Sequence, residues 1–255
     1  MATGRTAPKW LRIYGNGYDL SGYSRTFGPL VHVYDEADLT TIADAAKGFL
    51  PDKVNVGIGE LNGVFDNTAT SGLHVLANAG NSVWDMMVAI GIRAVPAQGD
   101  PTYTGKFLQT DYTAAEDGGA VVANVPFGMW DGGDLPAYDE VWGVLLHANS
   151  AVTAVNTAIG VDGLAATTAG GYMMYQVTAG NGTATLKVQH AAVNVDGSFA
   201  DLGGATTGSI NCAVVSAGIV NTTLITTAVS QFLRWQIVLG TATTVTFLLS
   251  FVRGR

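Results

Sequence analysis

From about Gly160 to the end of the chain a turn signal recurs roughly every ten residues, and almost no helical periodicity separates the signals. The run GYMMYQVTAGNGTATLKVQHAAVNVDGSFADL reads as strand, Gly-Asn-Gly turn, strand and polar loop. Such spacing leaves no room for helices of useful length, so it predicts a β-sandwich or jelly-roll-like module. The most apolar stretch, WQIVLGTATTVTFLLSFV, has the length of a membrane span. Its Gly, its four Thr and its other β-branched residues fit a pair of strands instead.

The preceding part reads the same way, with small exceptions. Short extended segments from Trp10 to Tyr34 are interrupted by GYDLSGYSRTFGPL, whose glycines and proline predict a turn-rich arm and whose rings need covering. DEADLTTIADAAKGFL has Asp38 or Thr40 as a cap and Leu39, Ile42, Ala46 and Phe49 near helical spacing, which predicts a short helix. KVNVGIGELNGVFD alternates Val54, Val56 and Ile58 and carries Asn62-Gly63, the dipeptide of tight hairpins. A second short helix is predicted at Thr70 to Gly80, capped by Thr or Ser, with Leu73, Leu76 and Ala77 on one face. Strands are expected after Ser82, at Ala120 to Pro126 and at Trp142 to Ala148, with Gly99 to Thr113 turn-rich. The fold class is all-β with one or two short helices. The expected domains are 1–158 and 159–255, joined through the charge-poor Ala151 to Thr168.

Charge is scarce and uneven. Charged residues make up 13% of the chain, about half the usual share, which favours a protein that buries surface against copies or partners. Residues 1–150 hold eight Lys/Arg against seventeen Asp/Glu, whereas 151–255 hold four against three. An acidic half does not wrap a nucleic-acid backbone by charge neutralisation. Nothing near the N-terminus resembles a secretory signal. Cys212, the single cysteine, reads as a buried structural thiol on a strand in SINCAVV.

No catalytic pattern emerges. GIGELNG and Gly15 to Gly17 lack the spacing and the Lys-Ser/Thr pair of a phosphate loop. Asp35, Glu36 and Asp38 beside a helix start suit its dipole better than acid/base work. Asp131 and Asp134 flank two glycines, a conceivable calcium loop without full ligand spacing. His32, His74, His147 and His190 are scattered and read as structural or interface residues. The expectation is no enzyme and no cofactor.

The order LSGYSRTFGPL, then DLTTIADAAKGFLPDKVNVGIGELNGVFDNTATSGLHVL, resembles the major tail tube proteins of long-tailed bacteriophages. The run LKVQHAAVNVDGSFADL and the later SQFLRWQIVLGTATTVTFLLSFVRGR look like a β-sandwich module of phage virion proteins, with Ala191 where Ser is usual and Phe232 where Tyr is usual. The resemblance implies a subunit made in the host cytoplasm that self-assembles into hexameric rings. These stack into the tail's DNA conduit and contact other tail proteins, without binding DNA specifically or entering a membrane. It also implies that Tyr18, Tyr23, Arg25, Phe27 and Leu30 form an inter-subunit arm and that Asp35, Glu36 and Asp38 line an acidic lumen that repels phosphate. Two alternatives stand beside it: a capsid decoration protein, or an adhesin that binds glycans through aromatics such as Tyr172, Tyr175 and Trp235.

Overall fold

The computed structural model describes residues 8–38, 49–78, 80, 82–92, 94–129, 140–163, 165–223 and 226–254. The chain is nearly all β. The strands are β1 (Leu11–Gly15), β2 (Tyr18–Asp19), β3 (Ser24–Phe27), β4 (Leu30–Asp38), β5 (Phe49–Val64) and β6 (Val83–Ile90). There follow β7 (Pro101–Gln109), β8 (Thr113–Asp117), β9 (Ala120–Met129), β10 (Trp142–Val152), β11 (Val161–Asp162) and β12 (Gly171–Gly180). The last six are β13 (Thr183–Ala191), β14 (Ala200–Thr206), β15 (Ile210–Asn211), β16 (Ser216–Asn221), β17 (Phe232–Leu239) and β18 (Val245–Arg253). One α-helix, α1 (Leu73–Ala77), lies between β5 and β6.

Two compact units emerge, and they are discontinuous in sequence. Unit 1 comprises Met1–Gly22, Trp84–Lys106 and Asp131–Arg255; unit 2 comprises Tyr23–Val83 and Phe107–Trp130. A boundary between residues 158 and 159 falls inside unit 1. Strands from both ends of the chain complete the same sheet there, which a linear reading of composition does not register.

Unit 1 holds two antiparallel sheets. One runs β16-β12-β18-β10-β7-β6-β1-β2, and the other runs β11-β17-β13-β14 with β15 on β13. Strands β12 and β18, and β10 from Leu145 to His147, are buried on both faces. Leu146, Met173, Val177, Phe247, Leu249 and Phe251 pack against the second sheet through Leu186, Val188, Leu202, Leu233 and Ile237. Leu145, Met174 and Leu248 point to the opposite face and pack with Tyr14, Met87 and Ala89 of β1 and β6. Double burial removes the polar alternate positions, so these strands read as near-continuous apolar runs. It explains the membrane-like hydropathy of TFLLSFV. Among the described residues no helix is long and apolar enough to cross a membrane.

The same sheet rolls until its far strands meet. Gln176 of β12 is fully buried. Its Oε1 accepts the Gly17 N–H at 2.6 Å, and its Nε2 donates to the Asp85 carbonyl of β6 at 2.8 Å. Gly17 has φ +87°, and a Cβ there would come within 2.7 Å of the Ser216 nitrogen. Only glycine permits this left-handed turn and this close approach. Asn16-Gly17 is the two-residue loop of the β1–β2 hairpin, with Gly15 opposite Tyr18.

Two expected pairs of successive strands are present, and each pair turns a corner between sheets. β12 belongs to the first sheet and β13 to the second, so the Asn181-Gly182 turn crosses the sandwich. β17 and β18 are likewise separate strands on opposite sheets. Their two inner faces cover one another across the core, as sandwich packing requires. Gly99 to Thr113 is not turn-rich throughout, because β7 occupies most of it with Tyr103 and Phe107 buried. Cys212 is buried as expected, but in the turn after β15 rather than within a strand.

His147 sits in the sandwich core at an irregularity of β10. Its ring stacks on Phe247 with centroids 4.2 Å apart and meets Trp235 edge-on at 4.4 Å. Nδ1 lies 2.9 Å from the Phe247 carbonyl, which accepts and so fixes the proton on Nδ1; Nε2 is then left to accept from the Ser150 hydroxyl at 3.3 Å. Burial pushes its pKa down from 6.5 to about 4. The unfolded chain therefore takes up the proton first, and stability present above pH 6.5 is lost as pH falls toward 4. The expected loss is about 3 kcal/mol across that window. His147→Phe flattens most of this slope in denaturant titrations at several pH values, while His190, also depressed by burial and by Arg253, retains a smaller one. Gln176→Leu, which strands the buried Gly17 N–H, is expected to cost about 1–3 kcal/mol in the same assay.

Candidate assembly surface

Unit 2 is a narrow antiparallel sheet with a long projection. β3 and β4 lie in succession along one side of β5, with Phe27 opposite Leu61 and Leu30 opposite Ile58. β9 lies along the other side of β5 from Ile58 to Val64, and its outer side carries β8 and the end of β7. From residue 57 back to Phe49, β4 is the only ladder partner of β5 among the described residues. This two-stranded ribbon is about 30 Å long at the usual rise per residue. A two-stranded ribbon is marginally stable alone, so cover from another chain would stabilise it.

The ribbon overturns two sequence expectations. Asp38 and Phe49, expected as the start and a face position of a helix, face each other in the β4–β5 ladder; residues 39–48 lie outside the described residues. Asn62-Gly63 is not a turn either, because β5 continues through it, pairing Gly63 with both Ser24 and Ala123. Here glycine serves close packing: a Cβ would meet Leu73 Cδ2 at 2.6 Å and the Tyr23 carbonyl at 2.9 Å. The Asn62 side chain donates across the ladder to Asn124. The second predicted helix is present as α1, with Leu73 and Ala77 buried. Its N-cap is Gly72 rather than Thr or Ser, and no side chain caps it.

The expected arm is bonded along its length to its own chain. Tyr18 lies in β2 opposite Gly15, and Leu20 is fully buried with its N–H on the Ile13 carbonyl. Tyr23 gives its carbonyl to the Val64 N–H. Arg25 forms an exposed ion pair with Asp117 at 3.0 Å, Phe27 and Leu30 are half-buried, and Tyr18 and Tyr23 are half-buried too. Part of the cover these rings need is therefore intramolecular. Asp35, Glu36 and Asp38 lie on β4; Glu36 is opposite Pro51, and Asp35 falls at the register irregularity between Tyr34 and Glu36. Asp131 and Asp134 lie outside the described residues.

Charge separates sharply between the two units, a pattern the linear halves only approximate. Unit 2 holds three Lys/Arg against ten Asp/Glu, net minus seven, whereas unit 1, twice as long, holds nine against ten, net minus one. Its outermost strand β8 has all five residues exposed and carries Glu116 and Asp117. Val33, Val64 and Val121 are also exposed at 53%, 44% and 49%. Exposed strand edges and apolar side chains beside carboxylates are what a self-pairing surface needs.

Other candidates resolve into structural roles. Among the described residues no group of His, Cys, Asp and Glu is placed to hold a metal. His74 Nδ1 contacts the Tyr112 hydroxyl at 2.6 Å, and His190 Nδ1 accepts the Ser230 N–H at 3.1 Å. Tyr172 is buried, and Tyr175 and Trp235 pack against the sandwich core, so these three aromatics do not offer glycans an open face. Arg234, beside Trp235, is buried; it donates to Gln189 and Ala158, pairs with Asp196 and lies over the Phe199 ring at 4.4 Å.

The chain matches no protein-family profile and no curated protein. A solved structure similar to it is the Dit protein (gp 19.1) of phage SPP1, described as a paradigm of the hub adsorption apparatus in phages that infect Gram-positive bacteria. The two share 12% identity over 94% of this chain and 98% of that one, with a TM-score of 0.36, too slight a likeness to carry an argument.

Gly63→Val is expected to lower unfolding stability by about 2 kcal/mol or more, since backbone and core must shift to admit it. Gly22→Ala, where an added Cβ meets nothing within 4 Å, leaves thermal stability within about 0.5 kcal/mol.

Proposed function

We propose that this chain is a structural subunit of a phage tail, the major tail tube protein, which assembles into stacked rings around a DNA conduit. The observation that carries the reading is the concentration of negative charge on the unit with the long ribbon and exposed strand edges. Sheets of unit 2 that join edge to edge would close a ring whose wall carries net minus seven per copy. Such a wall repels phosphate, so DNA passes without adhering. The ribbon, too thin to be stable alone, is the element that would reach a neighbouring subunit. The sequence resemblance to tail tube proteins supports the same assignment, and the low overall charge fits a chain that buries much of its surface in an assembly.

Ring number and stacking follow from the resemblance, which implies hexamers. Negative-stain electron microscopy of concentrated, purified protein is expected to show rings or tubes with a central hole, and dispersed monomers at high concentration overturn the reading. In assembled virions, reversing Asp35, Glu36 and Asp38 to Lys is expected to preserve tubes and slow DNA ejection. Unchanged ejection removes these three from the lumen.

A further inference from the structure

Unit 1 contains a cavity of about 550 Å³ at the start of β10, the end of β18 and the loop after β11. Trp142 lines it and is 37% exposed, the one large aromatic among the exposed apolar residues that are described. Its indole is held in place from two sides. Buried Tyr103 meets it edge-on with centroids 5.1 Å apart, and Glu140 Oε1 accepts the Trp142 backbone N–H at 2.9 Å. Small residues, including Gly143, Gly163, Ala165 and Ala166, keep the space beside the ring open.

The charged groups of the lining restrict what fits. Arg253 donates to the carbonyls of Val229, Ser230 and Gln231 at 3.1, 2.6 and 3.0 Å. Asp162 accepts from Gln231 at 3.2 Å, and Glu140 accepts two backbone N–H groups. With one guanidinium against two carboxylates, each already engaged, a strongly charged ligand gains little and loses its hydration. One feature favours a hydroxyl-bearing neutral ligand: the exposed Asp162 carboxylate lines the cavity and has about four acceptor directions for hydroxyl donors.

We propose that this cavity binds a neutral sugar ring, its apolar face on Trp142 and its hydroxyls on Asp162. A pyranose has one face of C–H groups and a rim of hydroxyls, which matches an indole beside a few fixed polar atoms. The volume admits one or two such rings. This site differs from the aromatics that the sequence suggested, which the sandwich core consumes. It stands whether or not the chain builds a tube.

The test uses full-length protein and four probes: glucose, galactose, N-acetylglucosamine and cellobiose. Each is titrated to about 50 mM, a range that detects weak millimolar affinity. The readouts are the Trp142 indole N–H resonance, assigned by its loss in Trp142→Phe, and ligand saturation-transfer signals. The expected result is a saturable shift for at least one sugar, weakened about tenfold in Asp162→Asn by loss of a charge-assisted hydrogen bond. Ala166→Trp, which fills the exposed side of the cavity, is expected to abolish the shift while leaving the thermal midpoint unchanged. Absence of a saturable shift with all four sugars overturns the proposal, and so does undiminished binding by a folded Ala166→Trp.

Discussion

Burial on both faces of β12, β18 and the Leu145 to His147 part of β10 is the constraint on which unit 1 depends. One face closes the sandwich with the second sheet, and the other packs inside the rolled first sheet. Each strand must therefore supply apolar residues at successive positions, as in Met173-Met174 and Phe247-Leu248-Leu249. Fully burying one such side chain contributes about 1.5–3 kcal/mol, so the two shared clusters outweigh any single polar contact. Ordering the rest of the unit follows from covering these three strands.

The buried polar groups decide how that cover closes. Gln176 is the only one of its strand's inward residues able to satisfy both a turn N–H and a strand carbonyl, and it ties β12 to β1–β2 and β6. Arg234 and Arg253 act similarly at the sandwich ends, donating to loop carbonyls. Burial lowers the Arg253 pKa to about 10, which still leaves it charged near neutral pH. His147 is the exception, since its buried ring stays neutral and donates to a carbonyl at a β10 irregularity. These residues specify geometry more than they add stability.

Unit 2 follows a different economy. Its sheet is narrow, its ribbon has two strands, and most of the chain's negative charge belongs to it. Self-repulsion among like charges opposes compaction, so such a unit gains from partners that extend its sheet and cover its exposed valines. Unit 1 has a large core and almost no net charge. The contrast between a nearly neutral unit with a large core and a narrow, acidic sheet is thus a property of residues drawn from both halves of the chain.

The three Asn-Gly pairs mark the limit of what the sequence settles. Asn16-Gly17 is a hairpin turn, Asn62-Gly63 lies within a long strand, and Asn181-Gly182 carries the chain from one sheet to the other. All three carry the same local preference, and the surrounding partners choose among its outcomes: Gly63 has Tyr23 and Leu73 against its backbone, and Gly17 has Ser216. The assembly surface was only partly legible for the same reason. Its acidity was visible in the composition, but the β4–β5 ribbon depends on pairing between residues that local periodicity assigned to a helix. By itself the sequence determined the β class, the strand character of its most apolar run, most strand positions and the scarcity of charge, because these follow from local composition and period. Only the tertiary structure decided which strands pair, where the units divide and which aromatics stay exposed, because these depend on contacts between residues far apart in the chain.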